Sequence, residues 1–303
     1  MSVFSLNLSD FVFVWWGLLY EAIPFVAVGA LLAGFVERCL SRETIARFFP
    51  ANRWSGLAAS ACLGLLFPMC ECGVVPVVRR LLAKGVPVSC GIAYLLASPI
   101  VNPLVILSTL LAFRGRDAWL VAGLRTGAGY AIAVLVGLAV WKLLGEDRIV
   151  LPAPTNHPHS HGHQHGRGGV IRDVLAIAAG DFLQIGATLV LGAAIAAVIN
   201  SGFSREAMQP LAGNPWTAVP AMMGLAVALN LCSEADAFVA ASFYAFPLAA
   251  KLAFLVLGPM FDLKLLAMYT ALFRPRAIAA ISGLVIGLVF LFGVAVHLGL
   301  QAS

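Results

Sequence analysis

A short segment between two prolines holds the residue types best suited to bind a soft metal. Cys70 and Cys72 flank Glu71, and Pro68 and Pro76 bound the segment inside a long apolar stretch. Proline removes a backbone donor and interrupts the helical hydrogen-bond ladder. Thiolates select soft metals and metalloids such as copper(I), zinc, cadmium and trivalent arsenic, and an ionisable side chain at this depth indicates function. The segment predicts a metal site in a broken helix, with a kinked helix of packed cysteines as the alternative.

A related group follows later in the chain, at Cys232, Glu234 and Asp236. Cys232 corresponds to Cys70 at an offset of 162 residues (232 − 70). If a pseudo-symmetry axis relates the two halves, three thiols and several carboxylates meet at one place, which suits copper(I), arsenic(III) or zinc. The alternative for Glu234 and Asp236 is a solvated helix end. We predict a substrate site formed by Cys70, Glu71, Cys72, Cys232, Glu234 and Asp236.

Further polar residues interrupt the apolar segments and are predicted to line or gate a path through the protein. Asp262 and Lys264 form either a buried ion pair or an interfacial group in which Lys264 reaches lipid headgroups. Glu21 lies inside the first apolar segment, facing either a cavity or a neighbouring helix. The complete predicted set is Glu21, Pro68, Pro76, Pro99, Asn102, Pro103, Pro259, Asp262 and Lys264.

A polar stretch near the middle of the chain carries histidine at every second position. Imidazoles bind zinc, copper and nickel, and Gly and Pro around them argue against a folded unit. We expect an auxiliary metal-binding loop, with a solvated linker as the alternative. Its histidines are His157, His159, His161, His163 and His165.

The composition requires a membrane to position these residues. Of 303 residues, 61% are hydrophobic and 11% are charged, whereas soluble domains carry roughly 25% charged residues. A soluble enzyme, a disordered regulator and a free nucleic-acid binder are excluded, because a water-exposed surface needs more polar residues. The apolar runs are long and continuous, so we predict an all-α polytopic membrane protein with about eight transmembrane helices.

The two halves of the chain resemble each other in order and spacing. We predict a first transmembrane repeat over 1–144, a His-rich linker over 145–170 and a second repeat over 171–303, each repeat with four helices that include proline-broken ones. Parallel and inverted repeats both stay open, because a broken segment can return to its own side. Basic residues divide evenly between the predicted faces, with Arg79, Arg80 and Lys84 opposite Arg38, so they indicate no orientation.

The motifs together resemble the ArsP-like (YraQ-like) predicted permeases, and the Cys-x-Cys with a His-rich loop is most similar to their copper/zinc-efflux branch. The resemblance implies a cytoplasmic-membrane permease of about eight helices in which Cys70 and Cys72 match the cysteine motif. Glu71 stands where that family has a small residue such as Ser, which bears on the substrate. The motifs are Pro68-x-Cys70-x-Cys72-Gly73-x-x-Pro76, Lys84-Gly85, Pro99-x-x-Asn102-Pro103 and Gly258-Pro259-Met260-x-Asp262-x-Lys264.

These features predict a multi-pass inner-membrane permease that exports zinc, cadmium or copper, with trivalent arsenic species next. We expect a permease rather than an enzyme, and no direct use of ATP, since the sequence has no Walker-type phosphate loop. We also expect no cofactor, because the metal is the transported substrate. The expected partners are the lipid bilayer and the transported ion, without nucleic acid, and a homo-oligomer stays open. The alternative is a membrane thiol-disulfide oxidoreductase that uses Cys70, Cys72 and Cys232.

Overall fold

The computed structural model describes residues 8–39, 41, 53–115, 117–143, 145, 149–151, 167–201 and 214–302, and these are almost entirely helical. The helices are α1 (Leu8–Cys39), α2 (Arg53–Leu66), α3 (Glu71–Ala83), α4 (Val88–Ala97), α5 (Pro103–Ala112), α6 (Ala118–Leu143), α7 (Arg167–Ser201), α8 (Pro215–Leu229), α9 (Asp236–Ser242), α10 (Leu248–Met260), α11 (Leu263–Tyr269) and α12 (Pro275–Ala302). Among the described residues, the non-helical pairing is an isolated bridge between Val150 and Phe273.

Long apolar helices confirm an all-α polytopic membrane protein. Five helical segments in the described residues are long and apolar enough to cross a membrane, and they comprise α1, α6, α7, α12 and the combined α10–α11. The predicted number of eight is not confirmed, because the remaining apolar helices are shorter. A helix of 32 residues such as α1 extends about 48 Å, so it exceeds the roughly 30 Å hydrocarbon core.

Prolines and capping residues set the breaks between the short helices. α2 ends before Pro68, and α4 ends at Ala97 before Pro99. Asn102 caps α5 by accepting a hydrogen bond from the Leu104 amide at 2.9 Å, with Pro103 at the first helical position. Such breaks follow from the missing proline donor and from side-chain capping.

The predicted interruption at Pro76 is wrong. Pro76 lies inside α3, which continues to Ala83. The proline lies near the helix start, so the helix loses one ladder bond, from position 76 to the Cys72 carbonyl, without ending.

One end of the molecule, here called end A, gathers the last turn of α1, the last turn of α3 and the first turns of α7. The Lys84 ammonium, just after α3, donates to the Glu37 carbonyl at 2.5 Å. Arg38 pairs with Asp173 of α7 at 3.3 Å. End A also holds the pairing of Leu151 with Leu272, whose N–H···O distance is 2.9 Å. The opposite end is called end B.

The first hairpin, α2–α3, enters from end A and returns to it. A Cβ on Gly137 of α6 would meet the Leu57 side chain and the Ser89 carbonyl, so the starts of α2 and α4 lie together. A Cβ on Gly64, near the end of α2, would meet Ser98 at the end of α4. The two helices therefore run parallel from end A to the middle, and α3 runs back to the turn at Lys84.

The second hairpin, α8–α9, is arranged in the same way but enters from end B. Gly293, late in α12, lies against Val219 of α8 and Ala253 of α10, so both helices start near end B. Asn230, which ends α8 with φ 51°, accepts hydrogen bonds from the Leu263 and Lys264 amides at the α10–α11 break. The two hairpins thus enter from opposite ends and meet in the middle.

This arrangement corrects the sequence-based assignment of the basic residues. Arg79 and Arg80 belong to α3 rather than to a loop, and with Lys84 they lie at end A beside Arg38. The prediction placed them on the opposite face, because it counted the α2–α3 segment as a complete crossing.

Candidate functional site

Each hairpin has a tip, which is the break between its two helices together with the start of the second helix: residues 67–72 in the first hairpin and 230–236 in the second. Thiols from the two tips lie together in the middle of the molecule. Cys70 directly precedes α3, and its thiol lies next to those of Cys72 and Cys232. The three cysteines are buried, with at most 4% of any of them exposed. The break before α3 and the break before α9 position these side chains, since neither segment around Cys70 and Cys232 is helical.

A lysine from the second half of the chain forms an ion pair with Glu71, the carboxylate between Cys70 and Cys72. The Lys264 ammonium, on α11, lies 2.9 Å from Glu71 Oε1 and 3.5 Å from Asp262 Oδ2. Glu71, Asp262 and Lys264 are each at most 3% exposed. The buried Asp262–Lys264 pair, one of the two predicted alternatives, is therefore present. Its contact with Glu71 adds an inter-half bond that the sequence did not predict.

Two half-buried carboxylates complete the site on the side of α1. The Cys232 thiol donates to Glu234 Oε2 at 2.6 Å. Glu21 lies near the same thiol and near Lys264 and Glu71. The structure thus brings Glu21, predicted as a path-lining residue, into the group around Cys232.

Asp236 is turned away from the thiols toward a residue that sequence reasoning missed. Its Oδ2 lies 2.7 Å from an Arg125 nitrogen, and both side chains are at most 3% exposed. Arg125 also donates to Thr109 Oγ1 at 2.8 Å and to the Ser233 carbonyl at 3.2 Å. A lone arginine within the apolar run of α6 was the available signal, since such a charge requires a buried partner.

A second missed group anchors the first hairpin to α7. Arg80 donates two hydrogen bonds to Asp181, each of 2.7 Å, and Arg79 lies 3.6 Å from the same carboxylate. Asp181 is 2% exposed. This bidentate pair fixes the end A part of α3, about two turns or more beyond the cysteines.

The remaining predicted residues divide by burial. Pro76, Pro99, Asn102 and Pro259 are buried, whereas Pro68 and Pro103 are exposed at the outer surface of the helices. The five histidines of the predicted auxiliary loop (157–165) lie outside the described residues.

The described site offers soft donors and two carboxylate oxygens without a hydrogen bond or ion pair among the described residues, Glu71 Oε2 and Asp236 Oδ1. Glu71 Oε2 has no hydrogen-bond partner among the described residues. No group of three or more His, Cys, Asp or Glu side chains in the described ranges has the arrangement of a ready-made metal site. The three thiols lie next to one another, and Glu71 Oε1 is paired with Lys264.

Comparisons with known proteins agree over nearly the whole chain. The model of the ArsP_1 family, described as "Predicted permease", matches residues 8–298. The UPF0718 protein YcgR of Bacillus subtilis (strain 168) is 38% identical over 262 residues, which cover 86% of this chain and 87% of that protein. A putative two-component membrane permease complex subunit of Streptococcus mutans serotype c (strain ATCC 700610 / UA159) is 34% identical over 267 residues, 88% of each chain. No solved structure matches.

Proposed function

Because the chain belongs to the ArsP_1 family of predicted permeases, we propose that it exports a thiophilic metal or metalloid across the inner membrane. Zinc, cadmium and copper are the leading substrates, followed by trivalent arsenic species. The substrate site is the group of thiols and carboxylates between the two hairpin tips. Placement in a copper/zinc-efflux branch forms part of this proposal.

The observation that carries the proposal is the contact of Cys70 with both Cys72 and Cys232. Three adjacent thiols are poor ligands for hard cations, which prefer oxygen. Their position at facing helix breaks is typical of transport sites near the middle of a membrane. Irregular backbone at this depth is tolerated where protein buries it or a cavity lies beside it.

The charge distribution supports an orientation with end A toward the cytoplasm. Cytoplasmic ends of membrane proteins are enriched in Lys and Arg. At end A the described basic residues are Arg38, Arg53, Arg79, Arg80, Lys84, Lys142, Arg172, Arg274 and Arg276, and at end B they are Arg114 and Lys251. With this orientation, the His-rich stretch after Leu151 begins on the cytoplasmic side, where an exporter collects its substrate.

A second membrane subunit forms part of the proposal. The relative from Streptococcus mutans is described as a subunit of a putative two-component membrane permease complex. We propose that this chain also works in such a complex, in addition to its contacts with the bilayer and the transported ion.

Transport by purified protein in liposomes tests the proposed substrate site. Liposomes loaded with cadmium release it down its gradient through the wild-type chain, and the variant Cys70→Ser/Cys72→Ser loses this release because Ser is a poor ligand for soft metals. The matched control is Cys39→Ser/Cys62→Ser, which removes the same number of thiols at exposed positions and keeps transport. Zinc, copper(I), arsenite and methylarsenite are compared in the same assay. Full release by the Cys70/Cys72 variant would refute the site.

The thiol contact also supports a second candidate, a membrane thiol-disulfide oxidoreductase. A disulfide between Cys70 and Cys232 would form with loss of two electrons to a partner disulfide or quinone and release of two protons. Acid trapping followed by mass spectrometry distinguishes the candidates. An oxidoreductase shows a mixed disulfide with its partner, whereas the exporter works with all three thiols reduced.

A further inference from the structure

Carboxylates outnumber cations where the hairpin tips meet. The acidic side chains are Glu21, Glu71, Glu234, Asp236 and Asp262, and the cations that reach them are Arg125 and Lys264. Arg125 is fixed on Asp236 and on two further oxygen acceptors. Lys264 is therefore the cation of the site, among the described residues, that has more than one carboxylate within 4 Å.

The Lys264 backbone is held firmly while its ammonium has more than one partner. The Lys264 amide donates to Asn230 Oδ1 at 3.1 Å, and a Cβ on Gly192 of α7 would lie 2.9 Å from Lys264 Cα. The ammonium lies 2.9 Å from Glu71, 3.5 Å from Asp262 and 3.4 Å from the Asn230 carbonyl. Rotation of the flexible lysine stem moves the charge toward Asp262 without leaving it unpaired.

The Lys264 ammonium lies 2.9 Å from Glu71 Oε1, and Cys70 and Cys72 flank Glu71 in the sequence. A metal cation that binds Glu71 together with these thiols therefore takes the place of the ammonium beside this carboxylate. Two cations so close repel each other strongly in a medium of low dielectric constant. A metal cation and the Lys264–Glu71 contact are mutually exclusive on this geometry.

We propose that Lys264 is a tethered competitor for cationic substrates: its ammonium occupies the cation position of the empty site, leaves Glu71 for Asp262 when a metal cation binds, and returns to expel that cation. The inference rests on the proposed function and adds a substrate-displacing residue to it. It also explains why Glu71 faces Lys264 rather than the sulfurs in the described state.

The charge of the ligand gives the proposal its test, because a neutral metalloid meets no such competition. Phenylarsine oxide, in its hydrated form, condenses with two thiols: two As–S bonds form, two As–O bonds break, and two waters leave with the thiol protons. Arsenic stays trivalent and no net charge enters the site. Cadmium(II) displaces two thiol protons when it binds two thiols, which leaves the net charge unchanged, but it also takes Glu71 as a ligand and so must displace the Lys264 ammonium from that carboxylate.

The experiment measures the dissociation constants of cadmium and phenylarsine oxide for the purified full chain in detergent, together with cadmium release from liposomes. We expect Lys264→Met to bind cadmium about tenfold more tightly and phenylarsine oxide with unchanged affinity, while the maximal release rate falls about tenfold or more. Lys264→Arg keeps the positive charge beside Glu71, so it does not gain the tenfold cadmium affinity expected of Lys264→Met.

A second variant of opposite sign covers the case in which Lys264→Met does not fold. Asp262→Asn retains the cap of α11, since Asn is as good a capping residue, but removes the second carboxylate from the ammonium. Lys264 then stays on Glu71, and cadmium affinity falls about threefold or more, again without change for phenylarsine oxide.

Equal shifts for both ligands, or cadmium affinities of both variants equal to the wild type, overturn the proposal and leave Lys264 a structural partner of Glu71. Two other results would refute the proposed function itself. In one, the wild type binds neither ligand; in the other, Cys70→Ser/Cys72→Ser binds both ligands as tightly as the wild type. Either result overturns this inference as well.

Discussion

The two hairpin tips have the same architecture but hold their charges differently. In the first tip, Glu71 is paired with Lys264 of the second half, at 2.9 Å. In the second tip, Asp236 is paired with Arg125 of the first half, at 2.7 Å. Each tip therefore forms one buried ion pair with the opposite half of the chain.

The difference lies in the cation. Arg125 makes directed hydrogen bonds to three separate acceptors, on α5, α9 and the segment before α9, and a guanidinium with fixed donor directions has one favourable position there. Lys264 is a point charge with alternative acceptors. Under the proposal above, the second tip stays fixed in place, whereas the first tip exchanges its cation for a substrate.

The opposite entry of the two hairpins gives the largest expected effect. With end A in the cytoplasm, alkaline phosphatase fused after residue 145 is inactive and a fusion after Ser303 is active, because the enzyme requires an oxidising compartment for its disulfides. Eight complete crossings would place both fusion points on one face and give equal activities. Equal activities would therefore refute the opposed hairpins and favour parallel over inverted repeats.

Removal of the Arg125 charge is expected to destabilise the protein most among single substitutions in the two pairs. Arg125→Met leaves Asp236 buried without a cation, which lowers the free energy of unfolding by about 3–5 kcal/mol. Chemical unfolding in detergent micelles measures it. The control is Arg38→Met, since the Arg38–Asp173 pair is about half exposed and such pairs contribute about 0–1 kcal/mol. If Arg125→Met lowers the free energy of unfolding no more than Arg38→Met does, the Arg125–Asp236 pair does not hold the second tip in place.

Part of this structure was predictable from local sequence signals. The 61% hydrophobic composition requires a membrane, and Pro68, Pro99 and the Asn102–Pro103 pair mark breaks that the structure contains. These signals act within one or two turns of helix. The burial of Asp262 with Lys264 was also predictable from a local signal, because the two residues are two positions apart in the sequence.

Long-range features were not predictable in the same way. A proline shows where a hydrogen-bond ladder loses a donor, but the direction in which the next helix leaves depends on tertiary packing, so the return of α3 to end A was missed. The partner of Lys264 was missed for the same reason, since Glu71 is distant in sequence. The composition of α6 alone showed that Arg125 needs a buried partner, but not that Asp236 supplies it.

The third thiol tests how much the second tip contributes to the substrate site. Cys232→Ser leaves Cys70 and Cys72 in place, so we expect binding to persist with about tenfold lower affinity for arsenite, whose arsenic prefers three sulfurs. The dissociation constant of arsenite is compared with that of Cys90→Ser, which changes a buried cysteine in a separate cluster around Leu57. Unchanged arsenite affinity in Cys232→Ser would limit the site to the first tip.

The smallest expected effect concerns the His-rich stretch that follows Leu151 in the sequence. Five alternating histidines offer overlapping imidazole sets, and binding by such a Gly- and Pro-containing segment costs ordering entropy, so it raises the local metal concentration without forming the transport site. Deletion of Asn156 to Gly166 is expected to raise the half-saturating metal concentration about threefold, a change of less than 1 kcal/mol, with an unchanged maximal rate. Initial rates of metal uptake into inverted vesicles measure both quantities, and the difference from the wild type shrinks below about pH 6.5 as free imidazoles take up protons.

A scrambled segment with Ser at the five histidines has the same length, and it separates loss of imidazoles from shortening of the connection. If that variant removes transport at every metal concentration, the histidines belong to the transport site itself, and the hairpin tips are not its sole metal-binding part.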